Sequence, residues 1–254
     1  TPLETLPSKN LRSTLSVADN FSGILTVVTI DEFISDLSNS KTEAIIPSVK
    51  IKGKINKGEK MDNIKESNPN TKLTFDTLGY FKNNKLKGYL TTNESVGYNF
   101  LANVAKETYV NIKCDSKNYA TLRLANSNFK ENLYYENNNP IVNIKTKIDA
   151  DLLEYNCKSD FLNNDKVIKK LEIKAKNRVN TLMNKTIDKL YVKEKADVLI
   201  YAEKFYSKKY KETKKLGYKN KDILNKISFK FNTNVQIKST ELSIKSVRKE
   251  NSYE

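Results

Sequence analysis

Residues 72–104 read KLTFDTLGYFKNNKLKGYLTTNESVGYNFLANV, and this stretch decides how the rest of the chain is interpreted. On both sides of Asn83-Asn84, apolar and polar residues alternate with the period of a β-strand. Asparagine tolerates the positive φ that a two-residue hairpin turn needs, so the pattern predicts a β-hairpin. If Lys82 lies opposite Lys85, the other facing pairs are Phe81 with Leu86, Gly79 with Gly88, and Thr77 with Leu90.

The residues after the hairpin predict a helix over 92–104. Thr91 to Glu94 has the Ser/Thr-x-x-Glu pattern of a capping box, in which a hydroxyl and a carboxylate satisfy free backbone N–H groups at the helix start. An apolar stripe at helical spacing follows, and it consists of Val96, Phe100, Leu101 and Val104.

Three glycines suggest how the hairpin and the helix pack together. Gly79 and Gly88, if they face each other, leave a bare patch that weakens the strands unless another element packs closely there. Gly97 lies inside the predicted helix, where glycine costs about 1 kcal/mol relative to alanine. We therefore expect the helix to pack on the bare patch and Gly97 to lie at a close contact. The alternative is that the helix merely tolerates Gly97.

The residues before the hairpin predict two helices, an edge strand and a loop. Ser8 is a candidate N-cap for a first helix, and residues 29–32 repeat the capping-box pattern before a second, short helix. Residues 44–51 are apolar but contain a proline, which confines a strand to the edge of a sheet. Residues 52–70 have the composition of a solvated loop. The apolar helix positions are Leu11, Leu15, Ala18, Phe33 and Leu37.

The second half begins with four segments in which apolar and polar residues alternate. Turn-forming residues, rich in asparagine, separate these segments. The pattern predicts a four-strand antiparallel meander with one buried face. The strands are predicted around 110–114, 120–124, 133–135 and 142–152, and the turns at 115–118, 126–128 and 137–140.

Helical periodicity follows the meander, and a last strand closes the chain. The pattern predicts one long helix from about residue 164 to residue 191 and a second helix that runs through Val198 and Phe205. A short helix follows and contains Ile223, Leu224 and Ile227. Residues 228–238 return to alternation and predict a strand that joins the meander sheet.

The fold class predicted from these elements is α+β in two domains, each an antiparallel sheet with helices packed on one face. The first domain spans 1–104 and contains the hairpin 72–90 and the helix 92–104. The second spans 105–254 and contains the meander, helices over about 164–227 and the closing strand 228–238. The longest strongly apolar run, residues 24–30, is too short to span a bilayer.

The composition argues against an enzyme. Histidine is absent, which excludes Ser-His-Asp and Cys-His catalysis and histidine-ligated zinc. Asp149 and Asp151 are a candidate carboxylate pair. Because both lie on the same face of one predicted strand, opposite its apolar residues, a solvated face is the better interpretation. We expect no catalytic residues, no cofactor and no metal, and a hydrolase is the least supported class.

The two cysteines, Cys114 and Cys157, are too few for a disulfide-rich protein or a cysteine-only zinc site. Each lies in a strand-like segment. The favoured prediction is that both are small, buried apolar residues, and the alternative is a bridge between them.

Most of the net charge of +15 comes from the second half of the chain. Residues 1–104 contain 13 Lys and Arg against 11 Asp and Glu, whereas residues 105–254 contain 32 against 19. A lysine-rich helical segment at 204–215 has three interpretations, which are a solvated face, contact with anionic lipid headgroups, and nucleic-acid binding. The predicted interaction face consists of Lys204, Lys208, Lys209, Lys211, Lys214 and Lys215.

Nucleic acid is not an expected partner. Only four of the basic residues are arginine, the side chain whose planar fork binds phosphates and bases in two places at once. The many lysines and asparagines are explained more simply by an AT-rich genome.

The string LGYFKNNKLKGYLTTNESVGYNFL resembles the central motif of the spore germination Ger(x)C family, the C-subunit lipoproteins of nutrient germinant receptors. That motif has a strand ending in phenylalanine, a lysine-rich turn, a Leu-x-Gly-aromatic-Leu strand and a Glu-Ser/Thr-x-Gly helix start. The matching residues are Phe81, Leu86, Gly88, Tyr89, Leu90, Glu94, Ser95 and Gly97. The resemblance extends to Ala196-Asp197, to residues 205–210 and to residues 234–238.

The resemblance implies a non-enzymatic receptor subunit that is needed for nutrient-triggered germination through protein–protein assembly or signal transfer. It implies integral-membrane A and B subunits as partners. It also implies a location at the outer face of the spore inner membrane, held by an N-terminal lipid, with this chain as a soluble ectodomain fragment that lacks the anchor and an N-terminal domain. The alternative function is a basic binding module for an anionic polymer, either nucleic acid or teichoic acid.

Overall fold

The computed structural model describes residues 7–21, 23–58, 70–114, 117–157, 165–218 and 220–240. The fold is α+β, as predicted, with two sheets and helices packed on them. The long helix and the final strand are both present. The predicted polar tail, most of the loop at 52–70 and the first two residues of the turn at 115–118 lie outside the described residues.

The first sheet has three antiparallel strands, β1 (Ile45–Gly53), β2 (Thr71–Lys82) and β3 (Lys85–Tyr89), in the order β1-β2-β3. The edge position of the proline-containing strand is confirmed, because β1 pairs only with β2 in this sheet. The hairpin turn is confirmed too, since Asn83 and Asn84 have φ of 51° and 60°.

The predicted register of the hairpin is correct near the turn and wrong beyond it. Phe81 lies opposite Leu86, but Gly79 then lies opposite Tyr89, and Gly88 lies opposite Tyr80. A β-bulge, in which β3 has the additional residue Lys87, shifts the pairing by one residue. The two glycines therefore do not face each other. Beyond the bulge, the N–H of Leu90 donates to the carbonyl of Leu78 at 2.8 Å, so Leu90 does not pair with Thr77.

The longer helices beside this sheet begin at or near the predicted positions, whereas a single helical turn lies in residues 55–58, which were predicted as loop. The helices are α1 (Pro7–Phe21), α2 (Ile30–Ser38), the single turn α3 (Ile55–Gly58) and α4 (Thr92–Leu101). Helix α1 starts one residue before the predicted cap Ser8, at a proline, which favours the first position of a helix. Helix α4 ends three residues earlier than predicted.

Both capping boxes are confirmed. In α2, the N–H of Thr29 donates to Glu32 Oε2 at 2.8 Å, and the N–H of Glu32 donates to Thr29 Oγ1 at 3.2 Å. In α4, the same exchange joins Thr91 and Glu94 at 2.7 and 3.4 Å. These local hydrogen bonds satisfy backbone donors that the first turn of a helix leaves free.

The second sheet is mixed. Its strands are β4 (Thr108–Lys113), β5 (Tyr119–Glu136), β6 (Asn139–Tyr155) and β7 (Ser228–Thr240), in the order β4-β5-β6-β7. The first three are antiparallel, but β7 runs parallel to β6, so the expectation of a fully antiparallel sheet is wrong in this strand. The long helical connection between β6 and β7 is what a parallel pairing requires.

The predicted turn at 126–128 is a bulge inside one long strand. The register of β5 against β6 shifts between Ala125 and Asn128, and Asn126 adopts a φ of 47°. The segments predicted as two strands are therefore one, and the meander has three strands instead of four. The next predicted turn is confirmed, because Asn137 and Asn138 have φ of 49° and 64° and join β5 to β6.

The connection from β6 to β7 consists of short helical elements after one long helix. They are α5 (Asp165–Ile187), a π-helix (Asp188–Lys193), α6 (Tyr201–Lys208), α7 (Tyr210–Lys215) and a 3₁₀-helix (Asn220–Asn225). The predicted long helix thus changes to π geometry at Asp188. Val198 precedes α6, because the buried carboxylate of Asp197 accepts from the N–H groups of Tyr201 and Ala202 at 2.8 and 2.9 Å.

Buried apolar side chains from both sheets and from the helices between them form one hydrophobic cluster. Leu78 and Phe100 from the first half and Leu122, Val179 and Leu182 from the second are members of it. The boundary near residue 104 stays a prediction. Among the described helices, none has the length and apolar character needed to cross a membrane.

Cys114 and Cys157 form a disulfide, with 5.9 Å between their Cα atoms. The favoured prediction of two separate apolar cysteines is therefore wrong, and the alternative is correct. The residues are 43 apart in sequence, yet β5 pairs with both β4 and β6 and brings the ends of these two strands together. The bridge closes the meander at that end.

Replacement of both cysteines by serine should lower the free energy of unfolding by roughly 2–4 kcal/mol, because a loop of this length loses its cross-link in the unfolded chain. Urea denaturation under non-reducing conditions measures the change. A reductant should bring the unmodified chain to the level of the double variant and leave the variant unaffected. Equal midpoints for both chains would contradict the bridge.

Candidate interaction surface

Helix α4 carries three of the family-motif residues, and each makes a defined contact. Glu94 caps the helix through Thr91. Ser95 is fully buried, and its Oγ accepts from the N–H of Leu78 in β2 at 3.2 Å. The first turn of α4 is thereby fixed to the central strand of the first sheet.

Gly97 contacts the long helix α5 instead of the hairpin. A Cβ at this position would collide with the backbone carbonyl of Leu182 and with the hydroxyl of Thr186. Thr186 Oγ1 also donates to the carbonyl of Glu94 at 2.6 Å. The expectation of a close contact at Gly97 is confirmed, but the partner is α5, so the predicted seat on Gly79 and Gly88 is wrong.

The same helix holds the N-terminal segment in place. Asn99 is buried, and its Nδ2 donates to the carbonyls of Gly23 and Leu25 at 2.8 and 2.9 Å. At the other end, Arg178 of α5 donates to Asn93 Oδ1 at 2.7 Å. Helix α4 therefore joins the first sheet, the N-terminal residues and the long helix of the second half.

The two hairpin glycines have side-chain neighbours. A Cβ at Gly79 would lie 3.3 Å from Leu86 Cδ1, and one at Gly88 would lie 3.0 Å from the hydroxyl of Tyr80. Tyr80 in turn has the ammonium of Lys189 at 5.4 Å from its ring centre. Burial raises the pKa of the Tyr80 hydroxyl. Gly88 thus leaves room for an aromatic side chain that reaches the π-helix.

The predicted lysine face lies on α6 and α7, and its members differ in environment. Lys204 is half-buried and pairs with Glu131 at 2.9 Å, and its ammonium also lies 4.8 Å from the ring centre of Tyr201. Lys208 is exposed and lies 3.5 Å from the same carboxylate. Lys209 is half-buried, and the other members, Lys211, Lys214 and Lys215, are exposed.

Glu131 organises this face, and the sequence analysis missed it. Its side chain is only 15% exposed and accepts from both Lys204 and Lys208. A signal was present, since Glu131 shares the strand parity of Leu133 and Tyr135, which point toward the helices. A charged residue on a buried parity indicates a paired charge.

Lys211, Lys214 and Lys215 extend the positive surface away from Glu131. Lys214 lies 5.6 Å from the ring centre of Tyr210, which is itself exposed. Exposed ammonium groups can pair with anionic lipid headgroups, and an exposed aromatic ring beside them can contact the apolar region below the headgroups.

The candidate carboxylate pair of β6 is engaged in surface contacts. Arg123 donates to Asp151 Oδ2 at 2.8 Å, and Ser239 donates to Asp151 Oδ1 at 2.5 Å. The hydrogen bond from Ser239 lowers the pKa of Asp151, and Arg123 acts in the same direction against the effect of burial. Asp149 lies 3.8 Å from Lys238. Both carboxylates serve as ion-pair partners.

The fold and this surface define an α+β protein in which two sheets are joined through a tight helix pair and a lysine face is exposed. Residues 76–241 match the family described as "Spore germination B3/ GerAC like, C-terminal". This match extends over more than half of the chain, and the chain belongs to that family. The resemblance inferred from the hairpin and helix motif is confirmed.

One solved structure, titled "Crystal Structure of the GerBC protein", has a similar fold, with a TM-score of 0.63 at 18% sequence identity. The alignment covers 83% of this chain and 60% of that chain. At this identity the likeness shows the fold alone. No curated protein sequence matches the chain.

Gly97→Ala should lower the free energy of unfolding by about 3 kcal/mol, because the added methyl group collides with the backbone of a packed helix. This loss should appear although alanine favours helices by about 1 kcal/mol over glycine. Urea denaturation followed by circular dichroism measures it.

Gly79→Ala is the matched control. Its methyl group would meet only the ends of Leu86 and Tyr89, which can move, so the change should be less than about 1 kcal/mol. A larger loss at Gly79 than at Gly97 would show that the helix rests on the hairpin after all.

Proposed function

We propose that this chain is part of a non-enzymatic subunit of a membrane-associated spore germinant receptor, and that it acts through protein–protein assembly or signal transfer. The family match over residues 76–241 carries the proposal. The partners are the integral-membrane A and B subunits, and the full-length protein is held at the outer face of the spore inner membrane by a lipid.

The packing of helix α4 supports a role in assembly. Helix α4 joins the first sheet to α5 through the close backbone contact at Gly97. The motif residues Ser95 and Gly97 are buried and pack inside the fold, whereas Leu86 and Tyr89 of the same motif are exposed on the hairpin and are available to a partner.

We further propose that the lysine face of α6 and α7 contacts anionic lipid headgroups. Each lysine near such a surface contributes about 1 kcal/mol, and the effect fades within a Debye length. Glu131 neutralises part of the charge of Lys204 and Lys208. The outer members, Lys211, Lys214 and Lys215, therefore supply most of the attraction.

Receptor membership is tested in spores that carry a tagged full-length protein. The integral-membrane A and B subunits should co-purify with it after detergent extraction, and deletion of the gene should abolish the nutrient response while leaving germination by a non-nutrient trigger intact. Normal nutrient germination without the gene, or a tagged protein that purifies without these subunits, would refute the proposal.

The lipid contact predicts a charge-specific loss. Changing Lys208, Lys211, Lys214 and Lys215 to glutamine should weaken co-sedimentation with phosphatidylglycerol vesicles by at least about tenfold, because several favourable charges are removed. Binding of the unmodified chain should fall steeply with added salt.

The matched control removes four exposed lysines of α5, which are Lys169, Lys170, Lys176 and Lys185. This variant has the same net charge as the first and should keep vesicle binding. Equal losses in both variants would mean that total charge, and not this face, drives the binding. A salt-sensitive shift of DNA or teichoic acid at physiological salt would favour the alternative function of an anionic-polymer binder.

A further inference from the structure

A cleft of about 510 Å³ opens beneath helix α2. Its walls are residues 26–28, one side of α2, and the residue Val104 that follows α4. Ile45 of β1 and Tyr98 of α4 also line it. This volume lies in the range of small-molecule sites.

Helix α2 has no fully buried residue. It does contact the first sheet, because the rings of Phe33 and Phe81 lie 5.1 Å apart. Its acidic side, with Asp31, Glu32 and Asp36, lines the cleft. A helix that packed only for stability would turn an apolar side inward.

Tyr98 provides a buried polar group at the cleft. The residue is 8% exposed, and its hydroxyl has no hydrogen-bond partner among the residues that the structure describes. Burial, and then the charge of Asp36, raises the pKa of this hydroxyl. A ligand atom in the cleft would give this hydroxyl a hydrogen-bond partner.

Asp36 provides a second polar group at the cleft that has no hydrogen-bond partner among the described residues. Its side chain is half-buried, and its carboxylate has no ion pair or hydrogen bond within the described ranges. Burial raises its pKa, and the neighbouring charge of Glu32 adds to the effect. Glu32 differs, because its hydrogen bonds with Thr29 lower its pKa.

We propose that this cleft binds a small organic cation, an ammonium group on a short apolar body. The ammonium would donate to the Asp36 carboxylate and to the Tyr98 hydroxyl oxygen, two lining groups whose side chains have no hydrogen bond to another described residue. Val27, Val28 and Val104 would contact the apolar body. The site goes beyond the proposed receptor role and does not depend on it.

The lining also indicates what the cleft excludes. None of its described lining residues is cationic, while three are carboxylates. A zwitterion would place its own carboxylate near Asp31 and Glu32 without a compensating charge, so a simple amine fits better than an amino acid. A neutral or acidic analogue of the same shape lacks the ion pair with Asp36.

The probe for the test is isobutylammonium, compared with isobutanol and isobutyrate. Titration of the purified chain, followed by amide chemical shifts in two-dimensional NMR, should show saturable binding of the amine on the order of 1 mM. The shifted amides should lie in segments 26–36 and 98–104. No saturable shift with the amine, or equal shifts with isobutanol, would overturn the proposal.

Two variants test the two groups separately. Asp36→Asn should weaken amine binding roughly tenfold or more, since it removes the charged hydrogen bond. Tyr98→Phe should weaken it several-fold and is the smaller change to the fold. Asp36→Asn should not lower the melting temperature, because the carboxylate that it removes is unpaired.

Asp149→Asn is the control, because it removes a partly exposed carboxylate of the second sheet that does not line the cleft. Its amine affinity should equal that of the unmodified chain. Unchanged affinity in both Asp36→Asn and Tyr98→Phe, or an equal loss in the control, would show that the amine binds elsewhere.

Discussion

The crossing of helices α4 and α5 at Gly97 is the constraint on which the rest of the structure depends. Without a side chain at this position, the backbone of α4 lies against the carbonyl of Leu182 and the hydroxyl of Thr186. That approach lets Ser95 reach β2 and Asn99 reach the N-terminal segment from the same short helix. A methyl group at Gly97 would collide with α5 and strain each of these contacts.

The parts of the fold that short-range chemistry determines were predictable from sequence. Both capping boxes and both asparagine turns depend on residues within four positions of each other. The bulges at Lys87 and Asn126 were not predictable in the same way. No residue type around Lys87 marks an additional residue, and an asparagine with positive φ, such as Asn126, suits a turn and a bulge equally. The direction of β7 and the pairing of Cys114 with Cys157 depend on partners far away in sequence.

The candidate sites show the same division. Periodicity and composition identified the lysines of α6 and α7, but Glu131, which pairs with two of them, lies on a strand more than seventy residues earlier. The cleft under α2 was not recognised from the sequence. Asp31 and Glu32 suit the start of a helix, but nothing in the sequence indicates that Asp36 and Tyr98 line the same cavity. The protein thus has an acidic cleft in its first half and a basic face in its second.

The parallel pairing of β7 with β6 has a consequence for how the chain is made. Strand β6 ends at Tyr155 and β7 begins at Ser228, so every hydrogen bond between them waits for the helices of the connection to be synthesised and placed. Contacts of such separation form slowly, because a long stretch of chain must be ordered before they give any stabilisation. One side of β6 therefore stays without its neighbour until β7 has been synthesised and placed, and this open edge is where an incompletely folded copy is most exposed to mispairing.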